Sequence, residues 1–289
     1  MTGHELLIAP FVEFGFLRRA LLACVALGLG AGPIGVMLVL RRMSLVGDAL
    51  SHAILPGAAI GFLIAGLSYP AMGMGGLLAG LLVALLSGQV SRSTVLGEEA
   101  AFACFYLTSL ASGVLLVSWR GSNVDLMHVL FGTILAIDAP ALLLVGSIAS
   151  LSWLALAWFW RPLVAECFDA EFLRQVDGRS KRYHFLFLVL VVINLVAGFQ
   201  TLGTLMAVGM IMLPAAIARL WTRTLETMMV MAILVGWLSG YLGLLISFHG
   251  QLASGPAIVL TAGLLFALSL LAAPAGRIWQ RLFSPSLAK

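Results

Sequence analysis

The stretch DALSHAILPGAAIGFLIAGL, residues 48–67, decides the fold of this chain. It is apolar over the length of about 20 residues that a helix needs to cross the hydrocarbon core of a bilayer. Asp48 and His52 lie four residues apart near its start, so a helix places both side chains on one face. A charge inside a membrane costs roughly 2.5 to 3.5 kcal/mol on insertion scales, and an ionisable pair there is therefore typical of a functional site.

The composition of the whole chain agrees with a membrane protein. Hydrophobic residues make up 62% of the sequence and charged residues only 10%, and the mean hydropathy is +1.10. A soluble domain carries about 25% charge. The formal net charge of +4 comes from basic residues that flank apolar runs, as in cytoplasmic loops, and it does not indicate binding of nucleic acid.

Apolar runs divide the chain into candidate spans, and the segment 124–137 is a shorter apolar piece. We predict an all-α polytopic membrane helical bundle with eight or nine transmembrane helices. Its parts are an interfacial segment at 1–18, a transmembrane domain at 19–275 and a cytoplasmic tail at 276–289. Glycines four apart, such as Gly57 and Gly61, predict close helix packing. The nine candidate spans are 20–40, 48–67, 70–90, 98–118, 139–160, 184–200, 204–220, 227–248 and 255–274.

The basic residues predict how the chain is oriented. If the first span runs inward, only Arg18, Arg19 and Arg120 of the 16 Lys and Arg residues lie outside. The remainder then lie on the cytoplasmic side, as the positive-inside rule requires. We therefore predict an external N-terminus and a cytoplasmic C-terminus.

Asp48 and His52 are the candidate metal ligands. One carboxylate with one imidazole suits manganese, zinc or iron, and it is too soft a set for magnesium or calcium alone. Two ligands are too few for tight coordination, so a second copy in a two-fold dimer, another span or water would complete the shell. The alternative is a structural pair in which the aspartate accepts a hydrogen bond from the imidazole.

The polar stretch FDAEFLRQVDGRSKRY, residues 168–183, predicts a short cytoplasmic helix. Asp169 can cap a helix that runs through Glu171 and Phe172, and Gly178 can end it. The exposed Phe168 and Phe172, together with mixed charge, favour docking of another protein over a lipid anchor.

The other polar residues give weaker signals. We interpret Asp125 and His128 as part of a solvated loop, with a role in ion entry as the alternative. His184, at the cytoplasmic edge of a span, is interpreted as interfacial. Cys24, Cys104 and Cys167 are too widely spaced for a CxxC site and are interpreted as small core residues.

Five blocks carry a resemblance to a known family, and together they extend from about residue 14 to about residue 272. They resemble the permease subunits of the manganese, zinc and iron chelate ABC importers, the ABC-3 family. In chain order they are LRRMSLVGDALSHAILPG (40–57), VDLMHVLFGTILAI (124–137), FDAEFLRQVDG (168–178), LMAVGMIMLPAAIARL (205–220) and SGPAIVL (254–260).

The resemblance implies a homodimer in the bacterial plasma (inner) membrane, with two cytoplasmic ATP-binding subunits beneath it and an extracytoplasmic solute-binding protein outside. Such a permease is not itself an enzyme and has no cofactor besides the transported manganese, zinc or iron ion. Asp48 and His52 match the DxxxH metal position of the family. Phe168, Asp169, Glu171 and Phe172 are similar to its ATPase-coupling helix. Thr133 departs from the Asn or Asp that often follows the FG pair.

Two other functions stay open from the residues alone. A gradient-driven secondary metal carrier would gain support from more intramembrane acids than Asp48. An intramembrane metalloenzyme would need three protein ligands and a general base, and the sequence offers no such set. The chain also has no GxxxxGK[ST] phosphate loop, so the energy for transport must come from a partner or a gradient.

Overall fold

The structure is a computed structural model that describes residues 6–66, 68–119 and 137–272. The predicted loop residues Asp125, His128 and Thr133 and the predicted tail at 276–289 lie outside the described residues. Within those three ranges every regular element is a helix. The helices are α1 (Ala9–Glu13), α2 (Gly15–Leu40), α3 (Ser44–Ala65), α4 (Tyr69–Ser93), α5 (Glu98–Trp119), α6 (Ala139–Trp158), α7 (Trp160–Phe168), α8 (Ala170–Asp177), α9 (Ser180–Leu202), α10 (Thr204–Trp221), α11 (Leu225–Gly250) and α12 (Ser254–Ala272).

Nine of the described helices are long and apolar enough to cross a membrane. They are α2 to α6 and α9 to α12, and each corresponds to one predicted span, so the predicted all-α membrane bundle is confirmed. The boundaries differ by a few residues. Helix α2 begins at Gly15 and α9 at Ser180, because basic residues in a first helical turn do not prevent a helix from extending beyond its apolar core.

The spans form an inner and an outer set. Helices α2 and α9 are the most enclosed, with 72% of their apolar windows buried, whereas α5 and α6 have 17% and 22% buried. The outer helices expose leucines such as Leu115 and Leu143. Apolar side chains on both sides of a helix are expected in a bilayer, because lipid tails are as apolar as leucine and do not drive these groups inward.

Helices α3 and α4 pack with almost no space between their backbones. A Cβ atom on Gly57 would meet the carbonyl of Gly75, and one on Gly61 would meet the carbonyl of Ala71. The reverse also holds, since a Cβ on Gly75 would meet the carbonyl of Gly57. The close packing predicted from Gly57 and Gly61 is therefore confirmed, and glycine is needed on both helices.

Contacts between distant residues define the two ends of the bundle. At one end, Tyr241 Oη donates to the carbonyl of Leu7 at 2.9 Å and His249 Nε2 lies 3.1 Å from the carbonyl of Leu6. We call this the outer end, since the N-terminus is predicted to be external. At the opposite end, which holds α7 and α8, Arg41 meets Glu166 at 3.4 Å. We call it the cytoplasmic end, in agreement with the predicted bias of basic residues.

The close approach of α3 and α4 predicts a difference between two alanine substitutions on α4. Gly75→Ala forces a methyl group against the backbone of Gly57, and such overpacking typically costs about 1 to 3 kcal/mol. Gly88→Ala has nothing within 4 Å of the new methyl group and gains roughly 1 kcal/mol of helix propensity. We expect the thermal unfolding midpoint in detergent to fall for Gly75→Ala and to stay level or rise for Gly88→Ala. Equal midpoints for the two variants would contradict this packing.

Candidate metal-ion site and cytoplasmic helix

A tight turn at residues 41–43 sets the start of α3. The amide of Met43 donates to the carbonyl of Leu38 at 3.0 Å, and the amide of Arg42 donates to the carbonyl of Val39 at 3.2 Å. This pair of bonds is a Schellman motif, which places Arg42 in the left-handed region at φ 59°. Because α3 begins at Ser44, Asp48 lies in the second turn of the helix, near the cytoplasmic end.

The structure brings the two predicted metal ligands together on α3. The distance from His52 Nε2 to Asp48 Oδ1 is 3.7 Å, too long for a hydrogen bond. A single ion sits about 2.0 to 2.2 Å from carboxylate oxygen and imidazole nitrogen ligands, so a small movement allows both atoms to contact one ion. The Asp48 side chain is 56% exposed and that of His52 30% exposed. Both groups are therefore accessible from outside this single chain.

The surroundings of His52 fix the orientation of its ring. The ring stacks on Tyr106 of α5 with centroids 6.0 Å apart and an interplanar angle of 28°. Its Nδ1 atom is buried and has no hydrogen-bond partner within the described residues. Since Nε2 is the nitrogen that faces Asp48, it is the nitrogen placed to bind a shared ion.

A cleft of about 130 Å³ opens beside Asp48 between α3 and α5. On the α5 side it is lined by Glu99 and Tyr106, among others. Neither residue was predicted as part of the site, because the sequence places both in a predicted span but does not show which helix they face. Among the described residues no group of three or more His, Cys, Asp or Glu side chains converges as a metal site. One copy of the pair therefore supplies an incomplete set of ligands.

Pro56 disturbs α3 one turn beyond His52. Proline has no N–H group to donate to the carbonyl of His52. The next carbonyl, that of Ala53, accepts a hydrogen bond from Ser109 Oγ of α5 at 3.2 Å. The part of α3 around Pro56 is therefore bound to α5, the helix that also contributes Tyr106.

The three cysteines differ in burial: Cys24 is buried and Cys167 half-buried, whereas Cys104 on α5 is exposed and is not the core residue expected from the sequence. All three are free. Cys167 lies on α7, where burial raises the pKa of its thiol to about 11. The thiol is thus protonated near neutral pH, and only the thiolate binds metal well.

The predicted cytoplasmic helix is present as α8, with the predicted capping residues. The Asp169 carboxylate accepts from the amide of Phe172 at 2.8 Å. Gly178 ends the helix in the left-handed region at φ 63°, a conformation that glycine adopts without steric cost. Glu171 forms an exposed ion pair with Arg174 at 3.3 Å.

One side of this helix presents an apolar stripe. Phe168, Phe172 and Val176 follow one another at intervals of four residues, and their exposed fractions are 66%, 57% and 67%. Phe172 and Val176 lie on one face of α8, and Phe168, the last residue of α7, precedes them across the break at Asp169. The stripe belongs to a segment with a polar sequence, and exposed apolar patches of this kind mark interaction sites.

Comparison with known proteins places the chain in a family. The model of the ABC 3 transport family matches residues 13–273. The manganese import system permease protein ScaB of Streptococcus parasanguinis is 35% identical, over 92% of this chain and 93% of its own. The chelated iron transport system membrane protein YfeD of Yersinia pestis is 31% identical, over 92% and 88%. 

A solved structure agrees with the sequence comparisons. PsaBC from Streptococcus pneumoniae in complex with Fab matches with a TM-score of 0.84 and 32% identity, covering 97% of this chain and 99% of the solved chain. The shared fold therefore extends over nearly the whole of both chains. The chain therefore belongs to the ABC 3 transport family.

Proposed function

We infer that this chain is the membrane-spanning permease subunit of a bacterial ABC importer for divalent transition metal ions. The observation that carries this inference is the Asp48 and His52 pair, held on one face of a membrane span in a chain of this family. Relatives named for manganese and for iron match at 35% and 31% identity. The ligand types fit both metals and also zinc, so all three remain candidate substrates.

Asp48 and His52 bind the ion during its passage. Each is exposed on a single copy of the chain, and each copy contributes too few ligands for a complete shell. A second copy related by a two-fold axis brings a matching pair to the same place. Loose coordination also suits transport, because the ion must leave as readily as it enters.

ATP hydrolysis is the task of two separate cytoplasmic ATP-binding subunits, and a solute-binding protein delivers the ion to the outer end. The apolar stripe formed by Phe168 at the end of α7 and by Phe172 and Val176 on α8 is the contact for an ATP-binding subunit. It projects from the end of the bundle where Arg41 and Glu166 lie. Movement of the ATP-binding subunits then opens the path alternately to the two sides of the membrane.

The proposed ion site predicts the effect of removing its ligands. In proteoliposomes with the ATP-binding subunits and the solute-binding protein, we expect Asp48→Asn and His52→Ala each to reduce ATP-dependent uptake at least tenfold. Each variant leaves a single copy of the chain with one of its two ligands for the ion. The measurement is uptake of manganese, iron and zinc, with assembly of the complex confirmed by co-purification.

Asp138→Asn is the matched control for Asp48→Asn. Asp138 caps α6 by accepting from the amide of Ala141 at 2.9 Å, and asparagine caps a helix equally well. Metal uptake by Asp138→Asn should equal that of the unmodified permease. Normal uptake by both site variants would show that the pair is structural, and uptake by the isolated chain without ATP would favour a gradient-driven carrier.

The proposed docking helix predicts a separate effect. Phe172→Ala removes the middle side chain of the stripe, and truncation of a central interface aromatic typically costs about 2 kcal/mol or more. We expect binding of the purified ATP-binding subunit to weaken by about thirtyfold in a titration. Phe16→Ala, at an aromatic residue that is 38% exposed near the outer end, should leave this binding unchanged. If the ATP-binding subunit bound Phe172→Ala and Phe16→Ala with equal affinity, α8 would not be the docking site.

A further inference from the structure

A buried cluster of charged and polar groups lies at the cytoplasmic end, apart from the proposed ion site. Arg41 Nη2 is 3.4 Å from Glu166 Oε1 and 2.7 Å from His184 Nδ1. His184 Nε2 is 2.8 Å from Glu98 Oε1. Ser180 Oγ donates to Glu166 Oε2 at 2.7 Å. We call these five residues the cytoplasmic cluster.

The hydrogen bonds of the cytoplasmic cluster have a defined direction. A guanidinium group only donates hydrogen bonds, so His184 Nδ1 accepts from Arg41. The hydrogen of a neutral His184 then lies on Nε2, which faces the Glu98 carboxylate. Hydrogen bonds therefore join Ser180 to Glu166 and Arg41 to both Glu166 and His184. Glu98 meets this set through its close contact with His184 Nε2.

Burial of these charged groups costs free energy, because it removes them from water. The side chains of Arg41, Glu166 and His184 are 9%, 3% and 8% exposed. His184 is thus an enclosed member of a charged cluster and not the interfacial residue expected from the sequence. Burial also lowers the pKa of Arg41 from its ordinary value, an effect that Glu166 opposes. Because the desolvation of buried ion pairs often cancels their attraction, stability alone is a weak reason for such a cluster.

The cluster joins the docking helix to both walls of the ion site. Glu166 lies on α7, three residues before Asp169, the N-cap of α8. Arg41 is the C-cap of α2 and directly precedes the tight turn into α3, which carries Asp48. Glu98 is the first residue of α5.

Helix α5 is the second wall of the same cleft. Glu99, next to Glu98 in sequence, lines the cleft beside Asp48, and Tyr106 stacks on His52. The Arg41 guanidinium is also held over the ring of Phe187 on α9, 4.7 Å from its centroid. A displacement at α7 therefore acts on the start of α3 through the hydrogen bonds of Arg41, and on the start of α5 through the contact of His184 with Glu98.

We propose that the cytoplasmic cluster is a mechanical relay in which Glu166 is the central positioning residue, transmitting movement of α8 to the two helices that hold the transported ion. The proposal rests on the docking role of α8 proposed above. Several hydrogen bonds in a region of low dielectric hold one geometry more strictly than apolar contacts do. The relay acts through α3 and α5 and does not itself bind the ion.

The test measures ions transported per ATP hydrolysed, in proteoliposomes that contain the complete complex. Glu166→Gln keeps the size of the side chain and removes its charge. Glu98→Gln makes the same change on α5, at the other end of the cytoplasmic cluster. We expect ATP hydrolysis to stay within twofold of the unmodified complex while the transport ratio falls at least fivefold. The control is Glu226→Gln, an exposed glutamate in the first turn of α11, whose ratio should be unchanged.

A merely structural role gives a different result. In that case Glu166→Gln lowers the yield or the unfolding temperature, and the complexes that do assemble transport the normal number of ions per ATP. That normal ratio would overturn the relay. If Glu166→Gln does not assemble, Ser180→Ala provides the milder variant, because it removes only one hydrogen bond to Glu166 and leaves every charge in place.

The expected result for Ser180→Ala is a ratio at least twofold below normal, and a normal ratio in this variant likewise overturns the relay. Failure of the docking proposal is read separately, from the affinity of Phe172→Ala for the ATP-binding subunit. A normal ratio together with weakened docking rejects only the relay. Normal docking of Phe172→Ala rejects the docking role of α8 and with it the route by which movement enters the cluster.

Discussion

The lack of water inside a bilayer is the constraint on which the rest of this structure depends. Every backbone donor and acceptor in a span must find a partner within the protein, and helices satisfy this requirement along their whole length. Pro56 removes one such bond in α3, because it cannot donate to the carbonyl of His52. The neighbouring carbonyl of Ala53 accepts a hydrogen bond from Ser109 of α5, so the missing bond lies beside a direct contact between the two walls of the ion site.

The same constraint explains why the spans could be predicted from the sequence. Long apolar runs have few alternatives to membrane helices, and all nine predicted runs are helices within the described residues. Capping is also a local property, so Asp169 and Gly178 correctly marked the ends of α8. The start of α2 was less predictable, because its first turns contain Arg18 and Arg19 and lie beyond the apolar core.

The site could be predicted only in part. The i, i+4 spacing of Asp48 and His52 is visible in the sequence, and in the structure Nε2 of His52 lies 3.7 Å from Oδ1 of Asp48. Tyr106 is separated from His52 by 54 positions in the sequence. Nothing in the residues that flank Tyr106 indicates that its ring packs on that of His52. The burial of His184 was not predicted, for the same reason. Its partners Arg41, Glu166 and Glu98 come from three other helices, so its burial depends on tertiary packing.

The glycine contact between α3 and α4 has a consequence for the kind of motion that this bundle can perform. With the backbones of Gly57 and Gly75 already touching, neither helix can slide along the other without a steric collision. Helices α3 and α4 thus behave as one rigid plate. A change in access to Asp48 therefore comes from movement of that whole plate relative to α5, the other wall of the cleft, with the short turn at Arg41 to Met43 as the hinge at the edge of the plate.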